Sequence, residues 1–490
     1  MRPLVIGVDA GSTATKAGVL DLDGTLLAEV SAAVPAATAV MADRREIDAD
    51  EYASHVAGLL DSLTRVVDVS RIAGLCVVGR GDGLALVTAD GDPVGPMVTS
   101  ADSRAGRLVR DWDNDGTADR LQELTAVRPF SGSPAALLSW FARHDAESLA
   151  GAALALSTKD WLRSMLSGEL MTDRTDGSAS FVDPNAQRYV SEALEIAGLT
   201  PDYRRLLPPL EESTAGAGVV RRDAAGAKGL LDGVQVSVGA HDVTAGLLGG
   251  GGPQEGVATI IAGTFGVTAA WLTSPVTSPS LNTRLGPVRD SWVVRRTSRA
   301  SASSVNWARR VLAPDSGDTG RPIELPALDA PFFIPYLRGG AAGRPGAGSF
   351  IGLRDHHDAA TLHRCALEGV AFMHRMDLDE LRSAVPIRSV SLIGGLSRAP
   401  GWAQLLADAI DLPVEIGDGA VAGVRGGGMI AAVTSGHAAD LDDAWNRMRV
   451  RTRTILPRRS AVIGLERRFR VYAELAHALT QVDDYLQEMT

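Results

Sequence analysis

Two short turns of glycine and hydroxyl residues, lying about half the chain apart, most constrain how this chain can fold. The first, at residues 11–13, lies between the apolar run at residues 4–9 and a second apolar run. The other, at residues 263–264, follows the apolar run at residues 257–262 in the same way. Apolar runs joined by a glycine-hydroxyl tip are typical of β-hairpins. The sequence therefore predicts one such hairpin in each half of the chain.

The composition of these turns indicates phosphate binding. Glycine lets the backbone approach an anion closely, and successive N–H groups form an anion-binding nest to which hydroxyls add donors. One such turn is more often an ordinary hairpin tip, whereas two at matching places favour a shared polyphosphate. The predicted phosphate-binding residues are Gly11, Ser12, Thr13, Lys16, Gly263 and Thr264.

Two charged residues flank the first turn. Of the 48 basic residues only three are lysine, and one of them, Lys16, has the compact ammonium that suits a phosphate oxygen. The alternative is that Lys16 has no such role and remains by chance in an arginine-rich chain. Asp9 stands directly before the turn. Because Mg²⁺ takes one or two carboxylates together with water and phosphate oxygens, Asp9 is the predicted magnesium ligand.

Composition excludes several classes of partner. The chain has 490 residues, of which 45% are hydrophobic, so it exceeds one ordinary domain and two are expected. Its net charge of −11 argues against nucleic acid as a partner. No signal-type segment opens it and no apolar run is long enough to span a bilayer, so we expect a soluble cytoplasmic protein. Cys76 and Cys365 are expected to be buried thiols and not a disulfide.

The order of predicted elements is repeated in the two halves. After the first hairpin come a third strand, a helix at about residues 48–67 and a buried strand at residues 73–78. Three antiparallel strands, a helix and another strand form the start of a ribonuclease-H-like unit. After the second hairpin, a helix at residues 359–381 precedes a strand at residues 389–393. This order predicts two related α/β domains with a catalytic cleft between them.

Together with these turns, several further motifs resemble those of the FGGY carbohydrate kinases, a family with an actin-like, two-domain ATPase fold. The segment at residues 239–246 resembles the one that supplies the family's catalytic aspartate, and residues 394–397 resemble its adenosine-side motif. Shorter matches occur at residues 101–104, 159–162, 335–337 and 367–370. The resemblance covers nearly the whole chain.

This resemblance implies an ATP-dependent kinase, with ATP and Mg²⁺ as cofactors and a hydroxyl of a small sugar or polyol as the phosphoryl acceptor. It places the sugar site and the first phosphate turn in an N-terminal domain at residues 1–245. The nucleotide site falls in a C-terminal domain at residues 246–490. A homodimer stays open, since weak dimerisation is common in the family. The implied nucleotide contacts are Gly394, Gly395 and Gln404, and Gly427 offers another close approach of the backbone.

Asp242 is the predicted general base. It follows the alternating strand at residues 234–238 and stands near the start of a small-residue helix. A carboxylate there accepts the proton of a substrate hydroxyl as the hydroxyl attacks the γ-phosphoryl group, which is mainly a task of positioning. An aspartate at such a place is otherwise most often a helix N-cap, and the resemblance favours catalysis. The neighbouring His241 is expected to be structural.

The sugar site is predicted in the glycine-rich loop at residues 79–83, at the carboxyl end of the buried strand. Arg80 and Asp82 are the candidate ligands of substrate hydroxyls, because a polyol in a closed site needs paired hydrogen bonds. A surface turn is the alternative. Asp102 either adds a contact to the substrate or pairs with Arg104 and fixes its own loop.

These residues do not specify the substrate itself. The loop carries Arg-Gly-Asp at residues 80–82, where xylulokinase-like members carry Gln-Met-His, and it is closer to loops of L-xylulose-type and erythritol-type kinases. A ketopentose such as xylulose or L-xylulose, or a tetritol such as erythritol, is therefore expected. The alternative is a catalytically silent, actin-like sugar sensor or binding protein. A dinucleotide dehydrogenase is disfavoured because residues 11–13 open a hairpin and not a helix, and a P-loop enzyme because its lysine motif is absent.

Overall fold

The computed structural model describes residues 2–35, 43–222, 224, 229, 231–312, 327–337, 348–417 and 419–488. The chain forms two compact units. Unit 1 comprises Met1–Pro253, Leu272–Val294 and Val421–Arg449, and unit 2 comprises Gln254–Trp271, Arg295–Ala420 and Val450–Thr490. The sequence predicted a single division after residue 245. That division stays a prediction, and the compact units are discontinuous, because two later segments of the chain pack with its first 253 residues.

A six-stranded sheet forms the centre of unit 1. In spatial order its strands are Gly216–Val219, Gln235–Ser237, Ile72–Gly79, Leu4–Ala10, Ala14–Asp21 and Leu26–Ala33. Strand Leu4–Ala10 runs antiparallel to Ala14–Asp21 and parallel to Ile72–Gly79. The first predicted hairpin, its third strand and the buried strand that follows are therefore confirmed.

Helices pack on both faces of this sheet. Because side chains alternate along a strand, Ile6 and Val8 share one face and pack in the core with Tyr52 of helix Ala49–Thr64. That helix confirms the one predicted at residues 48–67. Gly7 points to the other face, where a Cβ atom would overlap the carbonyl oxygen of Val424. Glycine at this position thus lets helix Ala422–Thr434 lie directly on the central strand.

Shorter elements complete unit 1. Its other helices are Gly106–Asp115, Thr117–Thr125, Pro134–His144, Ala146–Gly151, Thr158–Ser167, Arg174–Gly177, Ser191–Ile196, Asp242–Gly250 and Leu441–Met448. Its short strand pairs are Glu46–Ile47 with Met97–Val98, Ala85–Val87 with Leu154–Leu156, Thr172–Asp173 with Leu210–Glu211, and Val182–Asp183 with Arg188–Tyr189. The chain also forms strands Asn282–Leu285 and Trp292–Ser298.

Unit 2 contains a mixed sheet. Its neighbouring strands are, in spatial order, Gly266–Leu272, Val257–Ala262, Ser389–Ile393, Val414–Ile416 and Arg453–Ile455. The first two are antiparallel, which confirms the second predicted hairpin, and the next two run parallel to Val257–Ala262 and to each other. The predicted helix at residues 359–381 and the strand after it are present as Ala359–Ala384 and Ser389–Ile393.

Aromatic side chains fill the core of unit 2. Phe372, Trp402 and Tyr472 are fully buried together, and they come from three different helices. The remaining elements of this unit are helices Ala302–Leu312, Trp402–Ile410 and Arg459–Glu488 and the strand pair Phe332–Ile334 with Ser349–Ile351. In the part of the chain that the structure describes, no helix is both long enough and apolar enough to cross a membrane.

Candidate active site

Asp9 lies at the carboxyl end of the central strand of unit 1, directly before the first turn. Its Oδ1 atom is buried and accepts no hydrogen bond from the described residues, although the residue keeps partial exposure. Burial, together with the negative charge of Asp242, raises the pKa of Asp9 to about 7, and the ammonium of Lys16 opposes this. The structure therefore brings three predicted site residues into one electrostatic cluster.

The register of the first hairpin explains why Lys16 belongs to this cluster. Asp9 and Lys16 are directly opposite each other in the antiparallel ladder, so their side chains lie on the same face of the sheet. The turn itself is at the surface, with Ser12 and Thr13 exposed. A Cβ atom at Gly11 would lie 3.0 Å from the carbonyl oxygen of Ala14, so the tight turn favours glycine there.

Asp242 is the first residue of helix Asp242–Gly250, and its side chain is 31% exposed. The helix is capped by the preceding His241, whose Nδ1 atom accepts a hydrogen bond from the N–H of Val243 at 3.1 Å. The N-cap role considered for Asp242 is therefore taken by His241. The Oδ1 atom of Asp242 lies 2.7 Å from the same N–H and 3.0 Å from His241 Nδ1. The N–H of Val243 thereby orients the carboxylate at the N-terminus of the helix.

The glycine-rich loop follows strand Ile72–Gly79 and joins the Asp9 strand to the Asp242 segment. The N–H of Gly79 donates to the carbonyl oxygen of Ala240 at 3.2 Å, and the N–H of Arg80 donates to that of Ala10 at 3.0 Å. A Cβ atom at Gly81 would overlap Asp176 Oδ1 and the His241 ring. The absence of a side chain at residue 81 therefore lets Asp176 and His241 pack against the loop.

Asp82 is buried in this loop with a left-handed backbone, at φ 58°. Its Oδ1 atom accepts a hydrogen bond from Arg284 Nη2 at 2.6 Å, and its Oδ2 atom lies 3.7 Å from His241 Nε2. Sequence reasoning missed Arg284, which is 202 residues away in the chain. An arginine in a short strand carries no local signal of such a partner.

The guanidinium of Arg80 lies near Tyr52. Its Nε and Nη2 atoms are buried and donate to no described acceptor. Burial raises the pKa of the Tyr52 phenol, and the charge of Arg80 opposes that rise. Arg80 thus faces the core beneath the first turn, and its predicted contact with substrate hydroxyls stays a prediction.

Asp102 is held in a structural network. Its Oδ1 atom accepts a hydrogen bond from Arg104 Nε at 2.8 Å, and its Oδ2 atom accepts one from the N–H of Arg45 at 2.8 Å. Arg104 also pairs with Glu46 and lies over the Trp140 ring, 5.2 Å from its centroid. Of the two roles considered for Asp102, these contacts support the pairing with Arg104. No described contact joins it to another predicted site residue.

A buried charge cluster lies behind the loop. Lys159 Nζ contacts carboxylate oxygens of Asp160, Asp173 and Asp176 at 2.5, 2.9 and 3.4 Å. Burial raises the pKa of Asp176 to about 6, while Lys159 and His241 lower it. Asp82 and Asp176 also line a small cavity of about 40 Å³. Sequence reasoning identified residues 159–162 as a motif but did not connect Lys159 with the sugar loop.

In unit 2 the second turn lies next to a diglycine segment. Gly394 follows strand Ser389–Ile393 with φ 93°, and a Cβ atom there would lie 2.7 Å from the carbonyl carbon of Ala262. Gly394 is thus pressed against the end of the strand that leads into Gly263 and Thr264. Gly395 is exposed, and a Cβ atom there would meet nothing. These four predicted residues therefore share one edge of the sheet of unit 2.

Two predicted nucleotide contacts are elsewhere. Gln404 lines a cavity of about 520 Å³ in unit 2, and its amide donates to Asp408 Oδ1 and to the carbonyl oxygen of Leu456, both at 3.0 Å. Gly427 belongs to unit 1, where it is buried in helix Ala422–Thr434 and a Cβ atom would lie 3.4 Å from Gly7 Cα. Close packing of this helix on the sheet accounts for glycine at residue 427, and its contact with nucleotide stays a prediction.

Comparison with known proteins places both halves of the chain in one family. A model of the N-terminal domain of the FGGY family of carbohydrate kinases matches residues 4–249, and a model of its C-terminal domain matches residues 258–435. An L-xylulose/3-keto-L-gulonate kinase of Escherichia coli K12 is 27% identical over 496 residues, which cover 99% of each chain. A probable L-xylulose kinase of Pasteurella multocida is 27% identical over 482 residues, covering 97% of this chain and 98% of that protein.

Solved structures agree with these matches. A xyloylose kinase from Brucella ovis superposes with a TM-score of 0.85 at 25% sequence identity, covering 98% of this chain and all of that one. This likeness confirms the mixed α/β, two-domain fold of the actin-like kind that the sequence predicted.

Proposed function

Because the chain belongs to the FGGY family of carbohydrate kinases, we propose that it phosphorylates a hydroxyl of a ketopentose or a tetritol, with Asp242 as the general base. The chain is an ATP-dependent sugar kinase, as its family and its relatives agree. The comparisons give no support to a silent sugar sensor. The relatives that act on L-xylulose favour a ketopentose such as L-xylulose or xylulose over erythritol.

One observation carries the assignment of Asp242: the N–H of Gly79 donates to Ala240 and that of Arg80 to Ala10, so the segment before Asp242 lies at the same end of the sheet as Asp9, whose pKa the charge of Asp242 raises. The proposed base therefore lies beside the first phosphate turn, where an acceptor hydroxyl has to meet the γ-phosphoryl group. Its partial exposure leaves the carboxylate within reach of a substrate. The N–H of Val243 donates to its Oδ1 atom. A fixed carboxylate that accepts the hydroxyl proton serves a reaction in which catalysis is mostly positioning.

The proposed phosphate contacts divide between the two turns. The backbone N–H groups and hydroxyls of residues 11–13 and 263–264 would bind the polyphosphate, with Lys16 adding a positive charge. The diglycine at residues 394–395 presents backbone beside the second turn, which supports a contact with the nucleoside side of ATP. The roles of Gln404 and Gly427 in nucleotide binding are the least supported, because side-chain hydrogen bonds and helix packing already account for them.

Asp9 fits the proposed Mg²⁺ ion. Its buried Oδ1 atom has no hydrogen-bond donor among the described residues, and burial together with the charge of Asp242 raises its pKa despite the opposing charge of Lys16. No group of three or more metal-ligating side chains occurs in the described part of the chain. A single carboxylate suits Mg²⁺, which completes its shell with water and phosphate oxygens. When bound, the ion neutralises charge on the transferring phosphoryl group.

Location and assembly are part of the same proposal. A kinase that draws on ATP works where ATP is abundant, so we place this one in the cytoplasm. The homodimer that the resemblance left open is checked by sedimentation velocity on the purified protein.

The test is ADP release in a coupled assay with Mg-ATP across pentuloses, tetritols, pentitols, hexuloses and aldonates. We expect one ketopentose or tetritol to support turnover and Asp242→Asn to lower kcat by about 10²- to 10⁴-fold. Asp442→Asn is the matched control, since Asp442 is also an acidic residue in the first turn of a helix but is exposed. A variant Asp242→Asn with the native kcat would disprove the role of the base, and a panel without any sugar-dependent turnover would disprove the acceptor class.

A further inference from the structure

The amide of His241, directly before the proposed base, is held by a threonine that has no role in the proposal above. The N–H of His241 donates to Thr175 Oγ1 at 2.8 Å. Thr175 is fully buried and lies 66 residues away in the chain. Building on the proposed role of Asp242 as the base, we propose that Thr175 is a positioning residue, which fixes the Asp242 carboxylate through the main chain of His241.

His241 sets where the helix of Asp242 begins. Its carbonyl oxygen accepts a hydrogen bond from the N–H of Ala245 at 3.0 Å, and its Nδ1 atom accepts one from the N–H of Val243 at 3.1 Å. Both donors belong to the first turn of helix Asp242–Gly250. A contact that fixes the amide of His241 therefore fixes the start of this helix, and with it the Cα atom of Asp242.

Two neighbouring anchors of this segment are main-chain contacts. The N–H of Gly239 donates to the carbonyl oxygen of Ser213 at 3.1 Å, and the carbonyl oxygen of Ala240 accepts from the N–H of Gly79 at 3.2 Å. A substitution leaves such contacts in place. The contact of Thr175 depends on its hydroxyl, so it can be removed by changing one side chain.

A buried ion pair fixes the direction of the hydrogen bond that the Thr175 hydroxyl makes. Asp173 Oδ2 accepts hydrogen bonds from Thr175 Oγ1 at 2.6 Å and from Ser213 Oγ at 2.8 Å. The Oδ1 atom of Asp173 lies 2.9 Å from Lys159 Nζ. An ionised carboxylate accepts hydrogen bonds and donates none. The Thr175 hydroxyl thus gives its one proton to Asp173, and its lone pairs accept from the N–H of His241.

The cap of a short helix does not require this hydroxyl. Asp173 caps helix Arg174–Gly177 by accepting from the main-chain N–H of Thr175 at 2.7 Å. The hydroxyl adds a second bond to the same carboxylate oxygen and extends the contacts to His241. These contacts therefore run from Lys159 through Asp173 and Thr175 to the residue that precedes the base.

The test compares two substitutions of Thr175 in the full chain. Thr175→Val keeps the shape of the side chain and removes the hydroxyl, and we expect it to lower kcat by about 10- to 100-fold, because a small displacement of a reacting group is costly. KM for sugar and for ATP should stay within about threefold of the native values, since the loss falls on the chemical step. Thr175→Ser keeps the hydroxyl and should restore kcat to within about threefold of the native value.

Thr172→Val is the matched control. Thr172 is also buried in unit 1, and its hydroxyl donates to Asp160 Oδ2 at 2.7 Å, in the same charge cluster. This variant removes a hydroxyl from the cluster and leaves the acceptor of the His241 N–H in place. We expect it to lower thermal stability about as much as Thr175→Val does, and to leave kcat within about threefold of the native value. An equal loss of kcat in Thr172→Val would assign the effect to general loosening of the cluster and overturn the inference.

A double variant with Asp242→Asn separates this inference from the proposed base. If Thr175 acts through Asp242, adding Thr175→Val to Asp242→Asn should change the residual kcat by less than about threefold. A further loss as large as in the native background would show that Thr175 acts elsewhere, so that the inference fails while the base stands. A native kcat in Asp242→Asn alone would overturn the base, and this inference with it.

A milder variant keeps the inference testable if Thr175→Val does not fold. Ser213→Ala removes another side-chain donor to Asp173 Oδ2 and leaves the main-chain contact of Ser213 with Gly239 in place. We expect it to lower kcat by about three- to tenfold, with KM for sugar and ATP unchanged. A native kcat in the folded variant, whether Thr175→Val or Ser213→Ala, contradicts the inference.

Discussion

The hairpin of unit 1 and the hairpin of unit 2 share one backbone plan and differ in the side chains beside the turn. In the first, the ladder places Asp9 opposite Lys16 just below the turn. In the second, the corresponding pairs are Ile261 with Val267 and Ala262 with Gly266. Both turns offer backbone N–H groups and hydroxyls, but only the first adds charged groups.

This difference separates the proposed role of the second hairpin, which is phosphate binding, from that of the first, which also includes catalysis. The second hairpin holds nothing that titrates, so its contribution is limited to contacts of N–H and hydroxyl groups with an anion. The first hairpin places a carboxylate with a pKa of about 7 beside the proposed base. The comparison teaches that the repeated fold supplies the same turn backbone twice, while of the two hairpins only that of unit 1 adds the charged side chains that suit the proposed metal and proton transfer.

Among changes to the two hairpins, the largest effect is expected from removing the carboxylate of the first one. Asp9→Asn should lower kcat by about a thousandfold, which corresponds to about 4 kcal/mol of activation free energy. The variant loses the negative charge that holds the proposed metal ion beside the phosphoryl group. The measurement is ADP release at saturating Mg²⁺ and sugar. Asp23→Asn in the same part of unit 1 is the control, since that carboxylate is exposed and pairs with Arg2 at the surface. If Asp9→Asn turns over as fast as the native protein, the first hairpin adds no catalytic group that the second one lacks.

A second prediction uses the pH dependence of stability. The pKa of Asp9 is about 7 in the folded protein, whereas it is 3.8 in the unfolded chain. The unfolded chain thus loses this proton first, and the contribution of Asp9 to stability is full below pH 3.8 and lost as the pH rises through 7. Between pH 5 and pH 8, without Mg²⁺, the native protein should lose about 2–3 kcal/mol more unfolding free energy than Asp9→Asn.

Denaturant titrations at the two pH values check this difference, and Mg²⁺ with nucleotide at pH 8 should restore part of the lost stability. If the unfolding free energies of the native protein and Asp9→Asn change with pH in the same way, the buried carboxylate does not titrate in this range.

The smallest effect comes from the glycines of the two turns. A Cβ atom at Gly263 would meet nothing nearer than 3.6 Å, whereas one at Gly11 would lie 3.0 Å from a carbonyl oxygen. Gly263→Ala should therefore leave thermal stability unchanged and raise KM for ATP by about three- to tenfold, by holding the phosphate away from the backbone. Gly11→Ala should raise KM as well and also cost about 1 kcal/mol of stability. An unchanged KM for ATP in Gly263→Ala would show that the second turn does not bind phosphate.

Much of this site follows from local sequence. The two hairpins, the helix after the first one and the buried strand that ends at the glycine-rich loop were all predicted, because apolar periodicity and turn composition act over a few residues. Asp9, Lys16 and Asp242 were predicted one by one from motifs, and the structure brings them together. The pairing of Asp102 with Arg104, two residues away, was one of the two alternatives.

Other features depended on distant segments. Arg284 meets Asp82 across 202 residues, and Asp176 packs on Gly81 because residue 81 has no side chain. His241 was expected to be structural, and it caps the helix of Asp242; its contact with Asp82 was not predicted. The discontinuous units arise in the same way, since nothing local shows that Val421–Arg449 packs with the first half of the chain.

The sequence by itself determined the family, the two turns and the identity of the groups that can do chemistry, because these are written in short motifs. Only the tertiary structure decided their electrostatic state. Burial next to Asp242 moves the pKa of Asp9 toward neutrality, and a buried arginine from a remote strand neutralises Asp82. The physical reason is that desolvation and Coulomb interactions depend on distance in space and not on distance along the chain.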